Sequence, residues 1–246
     1  MTTNVYKPYL GSGQVYARIA GSAAGLLPVG NVSELTLEAS EDKKTLKDYT
    51  RPGGGTYASV TRIENVTTKM TLHDLNKTNL ARAAFGNAIT IESDTVVDEA
   101  VVAYLGALVP LAHIGATDVV VTNAAGITTY VLGTDYEVQG GGLLILAGGS
   151  IVQAAPLLVS YTFPDYSKIE GITQSAVILE LHFEGLNEAD SGKPVILDIF
   201  RAQLSPSKAL SLLGDDFAEL EMEAEVLKDP SKSGVGISQF YRVKQV

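Results

Sequence analysis

Two of the three histidines in the sequence lie beside carboxylates, a residue combination that can bind a metal ion. His182 stands between Glu180 and Glu184 in the segment AVILELHFEG, and His73 directly precedes Asp74. Residues two apart on a β-strand share a face, so the three side chains around His182 would point the same way. Three ligands on one flat strand do not close the tetrahedron that zinc requires. We therefore interpret these side chains as a solvent-facing polar face and predict no metal site.

Other segments contain parts of catalytic or nucleotide-binding motifs, but each motif is incomplete. Gly11-Ser12-Gly13 lacks the third glycine of a dinucleotide fingerprint, and Gly53-Gly54-Gly55 lacks the Lys and Ser/Thr of a phosphate-binding loop. The sequence contains no Gly-x-Ser-x-Gly motif and no Cys, which excludes a cysteine nucleophile and disulfides. Nothing marks two of its carboxylates as a catalytic pair. We therefore predict that the protein is not an enzyme, with no catalytic, cofactor-binding or metal-binding residues and no cofactor.

The most regular group of charged residues is a row of glutamates in the segment FAELEMEAEVL, residues 217–227. Helix propensity alone favours a helix there. The apolar and acidic residues alternate strictly, however, and steps of two residues would place the glutamates on opposite sides of a helix. On a strand, all the acids share one face and all the apolar residues share the other. The spacing therefore predicts a strand with one buried face and one acidic face, formed by Glu219, Glu221, Glu223 and Glu225.

Composition limits the class of protein. The 246 residues carry a formal net charge of −10, which argues against a protein that grips a phosphate backbone. Residues 138–164 contain no charged side chain, but glycines and Pro156 break them into runs far shorter than the roughly 20 residues of a spanning helix. We interpret this stretch as a pair of buried strands. We expect no membrane span, and no secretory signal is apparent in the first residues.

Period-2 patterns predict half-buried antiparallel strands elsewhere, in the segments VSELTLEA, VTTKMTLH, AVILELHFEG and KPVILDIFRAQL. One helix is predicted in NKTNLARAAFG, with Asn76 or Thr78 as the N-cap and Gly86 as the stop. A second short helical turn is predicted at Ser207–Leu213.

Two segments differ from this pattern. Residues 40–62 place charged arms on either side of a glycine run, which is typical of an extended hairpin reaching away from the body or of an ordinary disordered surface loop. Residues 96–167 hold few charges and much Gly and Ala, and similar halves, 1–95 and 168–246, flank them. We predict that 96–167 form an inserted small β domain. The predicted fold class is mainly β, an antiparallel β-sandwich or barrel with one packed α-helix, plus this insertion.

Several segments, in this order, resemble the tail tube protein (major tail protein) of long-tailed, siphovirus-like bacteriophages. In the first half these are ELTLEAS, the charged arm KTLKDY, the glycine-rich loop, RIENVTTKMTLHDL and NLARAAFG. In the second half they are QSAVILELHFEGLN, PVILDIFRAQLSP and LLGDDFAELEMEAEVLKDP. The segments YVLGTDYEVQGGGLLILAGGSI and LLVSYTF resemble insertions that some of these proteins carry on the outside of the tube.

The resemblance implies a self-assembling structural subunit of the virion, made in the host cytoplasm. Residues 1–95 and 168–246 would form the tail-tube domain, and 96–167 would lie on its outer surface. Six copies would form a ring, and rings would stack into a tube through which double-stranded DNA passes without specific binding. The implied partners are further copies of the chain and the tape measure, tail terminator and tail tip proteins, with no membrane.

Within this hypothesis, the acidic row would line the channel and repel DNA, and we expect at least two of its four glutamates to face the lumen. The alternative is that the row faces bulk solvent outside the tube. The extended loop would contact the adjacent ring. Its candidate contact residues are Lys43, Lys44, Lys47, Asp48, Gly53, Gly54 and Gly55.

Two other functions remain open from the sequence. One is a β-rich binding module of the adhesin or carbohydrate-recognition type that uses the inserted domain. The absence of Trp and the scattered positions of its 11 Tyr count against sugar stacking. The other is a hydrolase on a β scaffold, which the incomplete motifs disfavour.

Overall fold

The computed structural model of the protein describes residues 8–207 and 209–246. It is mainly β, with antiparallel pairing in its sheets and one α-helix within the described residues. The predicted mainly-β fold class with a single helix is therefore confirmed. The chain divides into two compact units: unit 1 contains the residues up to Ala88 together with Ile169–Val246, and unit 2 contains Ile89–Lys168. The boundaries predicted from composition were residues 95/96 and 167/168.

Unit 1 is built on one large antiparallel sheet. Its strands are β1 (Gly11–Ile19), β2 (Leu27–Pro28), β3 (Val32–Lys47), β4 (Thr56–Leu72), β13 (Ile178–Asn187), β14 (Lys193–Leu204), β15 (Leu220–Val226) and β16 (Tyr241–Gln245). The strands follow the order β2-β1-β13-β14-β15-β4-β3, and β16 also pairs with β14. A 3₁₀ turn, Glu188–Asp190, connects β13 to β14.

Strand β15 shows how alternation produces the core. The apolar residues Leu220, Met222, Ala224 and Val226 are all buried, whereas Glu221 and Glu225 between them are exposed. The inward side chains pack with Met70 and Leu72 of β4, Leu179 and Leu181 of β13, and Val15 and Ala17 of β1. Both ends of the sheet thus contribute to one core, so the sheet curls around it. The strand predicted in 217–227 is confirmed and spans Leu220–Val226.

Strand β14 is shared between two neighbours on the same edge. Its first half pairs with β16 from Val195 to Ile199, and its second half pairs with β15 from Ala202 to Leu204. The opposite edge pairs with β13 along nearly the whole strand, with one shift in register near Leu179. On β14 this shift lies between Ile199 and Ala202, where the first edge changes its partner from β16 to β15. Such a shift bends a strand locally and increases its twist. β14 can therefore change neighbours along its length.

Helix α1 spans Lys77–Ala83, and Asn76 is its N-cap because its side-chain oxygen accepts hydrogen bonds from the backbone N–H groups of Thr78 and Asn79. The left-handed residue after the helix is Phe85, with φ +48°, rather than the predicted Gly86. Gly86 is needed for a different reason: a Cβ there would lie 2.5 Å from the carbonyl oxygen of Glu170. The second predicted helical turn is wrong, since residues 209–213 contain no helix.

The β3–β4 hairpin continues far beyond the core. Its register runs from Val32 opposite Leu72 to Lys47 opposite Thr56. From Ser40 to Asn65 nearly every residue is exposed on both faces, and we name residues 40–65 the arm. Of the two alternatives for this segment, the structure contains the extended hairpin. The paired part of the arm extends about 25 Å at the usual rise of a strand.

Unit 2 has its own core between two three-stranded sheets. Its strands are β6 (Asp94–Val102), β7 (Leu108–Pro110), β8 (Thr117–Asn123), β9 (Tyr136–Gln139), β10 (Gly142–Ile145) and β11 (Pro156–Phe163), in the orders β6-β11-β8 and β7-β10-β9. Strands β5 (Asn87–Ile91) and β12 (Tyr166–Glu170) pair as a ribbon, and each of them begins in one unit and ends in the other. The uncharged stretch 138–164 contains the buried strands β10 and β11, as predicted, but they belong to different sheets. Within the described part of the chain, no helix has the length and apolar character to span a bilayer.

Truncating a side chain on the buried face of β15 should lower stability much more than truncating one on its exposed face. Leu220 is fully buried, so Leu220→Ala should lower the free energy of unfolding by about 2–5 kcal/mol. Glu221→Ala on the exposed face should change it by less than about 0.5 kcal/mol. Urea unfolding followed by circular dichroism measures both. Equal losses in the two variants would contradict the assignment of the faces.

Candidate functional site

The outward side of three adjacent strands carries a group of carboxylates, which extend from the two outer strands of the three. Glu34 and Glu38 extend from β3, and Glu221, Glu223 and Glu225 extend from β15. Strand β4 lies between the two and contributes one cation, Lys69. We name this surface the acidic face. It is the reverse side of the strands whose inward residues form the core of unit 1.

The register of the strands aligns these side chains in rows. Thr71 of β4 pairs with Glu34 on one side and Glu221 on the other, and Thr67 pairs with Glu38 and Glu225. Between these two rows, Lys69 pairs with Thr36 and Glu223. Side chains directly opposite each other in an antiparallel pair lie about 5 Å apart. The carboxylates therefore stand in an ordered array in which threonines and one lysine separate the two acidic strands.

Counted over the described residues, the acidic face contains five carboxylates and one ammonium group, that of Lys69. The Nζ atom of Lys69 lies 3.5 Å from the Oε2 atom of Glu38, and both side chains are about half exposed. An exposed ion pair of this kind contributes little to stability. The main consequence of the array is therefore a local electrostatic potential rather than extra stability of the fold.

The structure assembles three of the four predicted glutamates on one strand face. Glu219 precedes β15 and is exposed in the connecting segment. Sequence reasoning missed Glu34 and Glu38 as members of the same surface. Their alternation in ELTLEAS indicated an outward face, but only the pairing of β4 with both β3 and β15 connects them to the row on β15.

The candidate lysines of the arm are all exposed. Lys43, Lys44 and Lys47 pair across the hairpin with Thr61, Val60 and Thr56. Lys44 has one carboxylate neighbour, Asp42, whose Oδ2 atom lies 3.4 Å from its Nζ atom, but the Lys44 side chain is 80% exposed. These ammonium groups are therefore available to another molecule.

The other arm candidates form the turn at its tip. The Oδ1 atom of Asp48 accepts hydrogen bonds from the hydroxyl and the backbone N–H of Thr50, and these bonds lower the pKa of Asp48. Gly53 adopts φ +79°, a region that favours glycine, and a Cβ on Gly54 would lie 2.0 Å from the carbonyl oxygen of Asp48. Turn geometry accounts for Asp48, Gly53 and Gly54, whereas Gly55 has open space around its Cβ position.

The histidine with the strongest sequence signal belongs to an ion-pair cluster. The Nδ1 atom of His182 lies 2.6 Å from the Oδ1 atom of Asp198, and the Nζ atom of Lys244 donates to its Oδ2 atom at 2.8 Å. Glu180, expected beside His182, instead binds Arg18 of the neighbouring strand at 2.7 Å. Within residues 8–207 and 209–246, no group of three or more His, Cys, Asp or Glu side chains has the arrangement of a metal site.

Residues 8–244 match a family described as Protein of unknown function UCP028589. The chain belongs to this family. A search of curated proteins found no match. The family description assigns no activity, ligand or partner.

In this family member, the best-connected carboxylates of unit 2 hold its fold together. Glu99 accepts hydrogen bonds from the Tyr161 hydroxyl at 2.5 Å and from the backbone N–H of Ala112 at 2.9 Å. Burial, together with the bond to Glu99, raises the pKa of Tyr161 to about 12. Asp135 accepts bonds from the backbone N–H groups of Val131 and Ser150. Both carboxylates thus have structural partners within the unit.

The Asp198 cluster predicts a pH dependence of stability. Burial raises the pKa of Asp198, but the hydrogen bonds from Lys244 and His182 outweigh it and leave the pKa below its usual value. The ionised carboxylate therefore stabilises the fold above the unfolded pKa of about 4, and this contribution is lost as the pH falls through the lower folded pKa. Asp198→Asn should cost about 1–3 kcal/mol at pH 7. It should also remove part of the decline in stability below pH 4.

Urea unfolding of the wild type and Asp198→Asn between about pH 2 and pH 7 measures this dependence. Glu137→Gln, at an exposed position outside the arm and the acidic face, is the matched control and should change stability by less than about 0.5 kcal/mol. Parallel pH profiles for the wild type and Asp198→Asn would reject the role assigned to this carboxylate.

Proposed function

We propose that this protein is the structural subunit of a bacteriophage tail tube, which assembles as stacked hexameric rings around a channel for double-stranded DNA. The observation that carries the proposal is the acidic face, which spans three adjacent strands and has a continuous apolar core behind it. A sheet of this kind suits a channel wall, since one side packs on an apolar core and the other side carries a high density of negative charge.

The sign of the charge suits a channel through which DNA passes. A DNA duplex carries one negative charge per about 1.7 Å of its axis, so a basic wall would bind it and slow its movement. An acidic wall repels the duplex and offers no binding site along the path. Because salt screens charges over about 8 Å at physiological ionic strength, only side chains on the channel surface itself produce this effect.

Two further features favour self-association. Strand β3 pairs only with β4 among the described residues, so its other edge presents unpaired backbone groups over sixteen residues. Long free edges promote pairing with other strands, and closing a ring of sheets removes them. The arm is a two-stranded ribbon with both faces exposed, and a ribbon of this kind is marginally stable without a neighbour.

Under this proposal the protein is a virion component without enzymatic activity, and its principal partner is another copy of itself. The tape measure protein would occupy the channel before ejection, and the tail terminator and tail tip proteins would contact the end rings. Unit 2 would be the insertion that some tail tube proteins carry. These assignments rest on the resemblance of the sequence to tail tube proteins, together with the acidic face.

Electron microscopy of the purified protein at increasing concentration tests the proposal. We expect rings with sixfold symmetry and hollow tubes formed by their stacking, because the subunit carries the free edge and the arm that assembly would cover. Analytical ultracentrifugation of the same samples should give a hexamer or larger species.

A protein that stays monomeric in these samples and forms neither rings nor tubes would contradict the tail-tube proposal. Specific binding of a carbohydrate or a surface protein by such a monomer would favour the alternative, a β-rich binding module that uses unit 2. Hydrolytic activity of the monomer would favour an enzyme on a β scaffold.

A further inference from the structure

The segment between β14 and β15 exposes large apolar side chains next to acids. Residues 209–219 form neither helix nor strand, and we name them the acidic–apolar loop. Leu212 is 76% exposed, Leu213 is 97% exposed and Phe217 is 94% exposed. The same loop contains Asp215, Asp216 and Glu219 and no basic residue.

This exposure is energetically unfavourable for an isolated subunit. Burying one Leu or Phe side chain fully is worth roughly 1.5–3 kcal/mol relative to leaving it in water. Clustered exposed apolar groups beside charged residues are typical of a surface that another protein covers. The loop residues, with Glu221, line a concave surface of their own. The concave shape of the loop, its apolar side chains and its acids therefore suit the binding of a projecting segment of another molecule.

The arm has the complementary composition. Its distal part, residues 43–62, contains five basic residues and one acid, giving a charge of +4 in a chain whose net charge is −10. It also exposes large apolar side chains between these charges, with exposed fractions of 53% for Leu46, 82% for Tyr49 and 69% for Tyr57. Opposite charge steers the encounter of two such surfaces, and the apolar side chains supply area to bury.

We propose that the distal arm of one copy docks on the acidic–apolar loop of a neighbouring copy. The proposal rests on the proposed function and specifies the receptor for the arm. The occupant of the loop is the arm of a second copy because the basic and apolar side chains of the distal arm complement the acidic and apolar side chains of the loop. Among the described residues that line the concave surface, none belongs to the arm of the same copy.

The two docking surfaces lie at different places on the same chain. A contact between unlike surfaces is heterologous, so every copy can donate its arm to one neighbour and accept an arm from another. Such contacts propagate and generate rings or open stacks. The arm–loop contact would thus connect copies in series.

Disulfide trapping tests the contact directly because the protein contains no cysteine. The variant Leu46→Cys with Leu213→Cys places one thiol on the arm and one on the loop of every copy. Mild oxidation of the full-length protein should give a ladder of covalent oligomers on a non-reducing gel, and reduction should return it to monomer. The matched control is Leu46→Cys with Val235→Cys, since Val235 is fully exposed but lies outside the loop.

Charge exchange provides a second readout in the same background. Lys43→Glu with Lys44→Glu should reduce the cross-linked fraction about tenfold, the combined effect of two surface ion pairs. Adding Asp215→Lys with Asp216→Lys should restore it, because the signs again oppose.

Electron microscopy of the same oxidised samples separates this inference from the proposed function. Tubes with the ladder support both. Tubes without the ladder, or with a ladder equal to the control, overturn the arm–loop contact and leave the tail-tube proposal standing. A ladder without rings or tubes supports the contact and overturns the tail-tube role, and the absence of both overturns both.

Discussion

The structure of unit 1 depends on one constraint, the strict alternation of apolar and polar side chains on β-strands. On β15 it buries Leu220, Met222, Ala224 and Val226 and turns the glutamates between them outward. Because β4 and β3 follow the same alternation in register, the outward residues of three strands form one surface. The dry core and the acidic face are therefore two sides of the same pattern, and a change in strand register would disrupt both together.

The parts of unit 1 outside this pattern share a different property. The arm and the acidic–apolar loop both expose large apolar side chains, and neither packs on the core of the subunit. The distal part of the arm, residues 43–62, is basic, and the loop is acidic. Such a subunit has a buried core and two exposed surfaces of opposite charge. This arrangement suits polymerisation, since each surface on one copy is complementary to the other surface on the next copy.

Local patterns in the sequence predicted much of the local structure. Alternation predicted β15 against helix propensity, and Asn76 was predicted as one of two possible helix caps. Long-range pairing was not accessible, because no local signal places β4 between β3 and β15, and Glu34 and Glu38 were therefore missed. The helical turn predicted at 207–213 was wrong: a proline entry and a glycine end indicated a helix, but the side chains of Leu212 and Leu213 have no core to pack against.

The central claim is that the acidic face borders a channel shared by six copies. A three-dimensional reconstruction of the assembled protein by electron cryomicroscopy tests this most directly, since it locates the side chains on the strands of every copy. We expect Glu221 and Glu225 of all six copies to face the channel, with Glu34 and Glu38 beside them. A reconstruction in which these carboxylates lie on the outer wall, or in which the subunits do not enclose a channel, would contradict the claim.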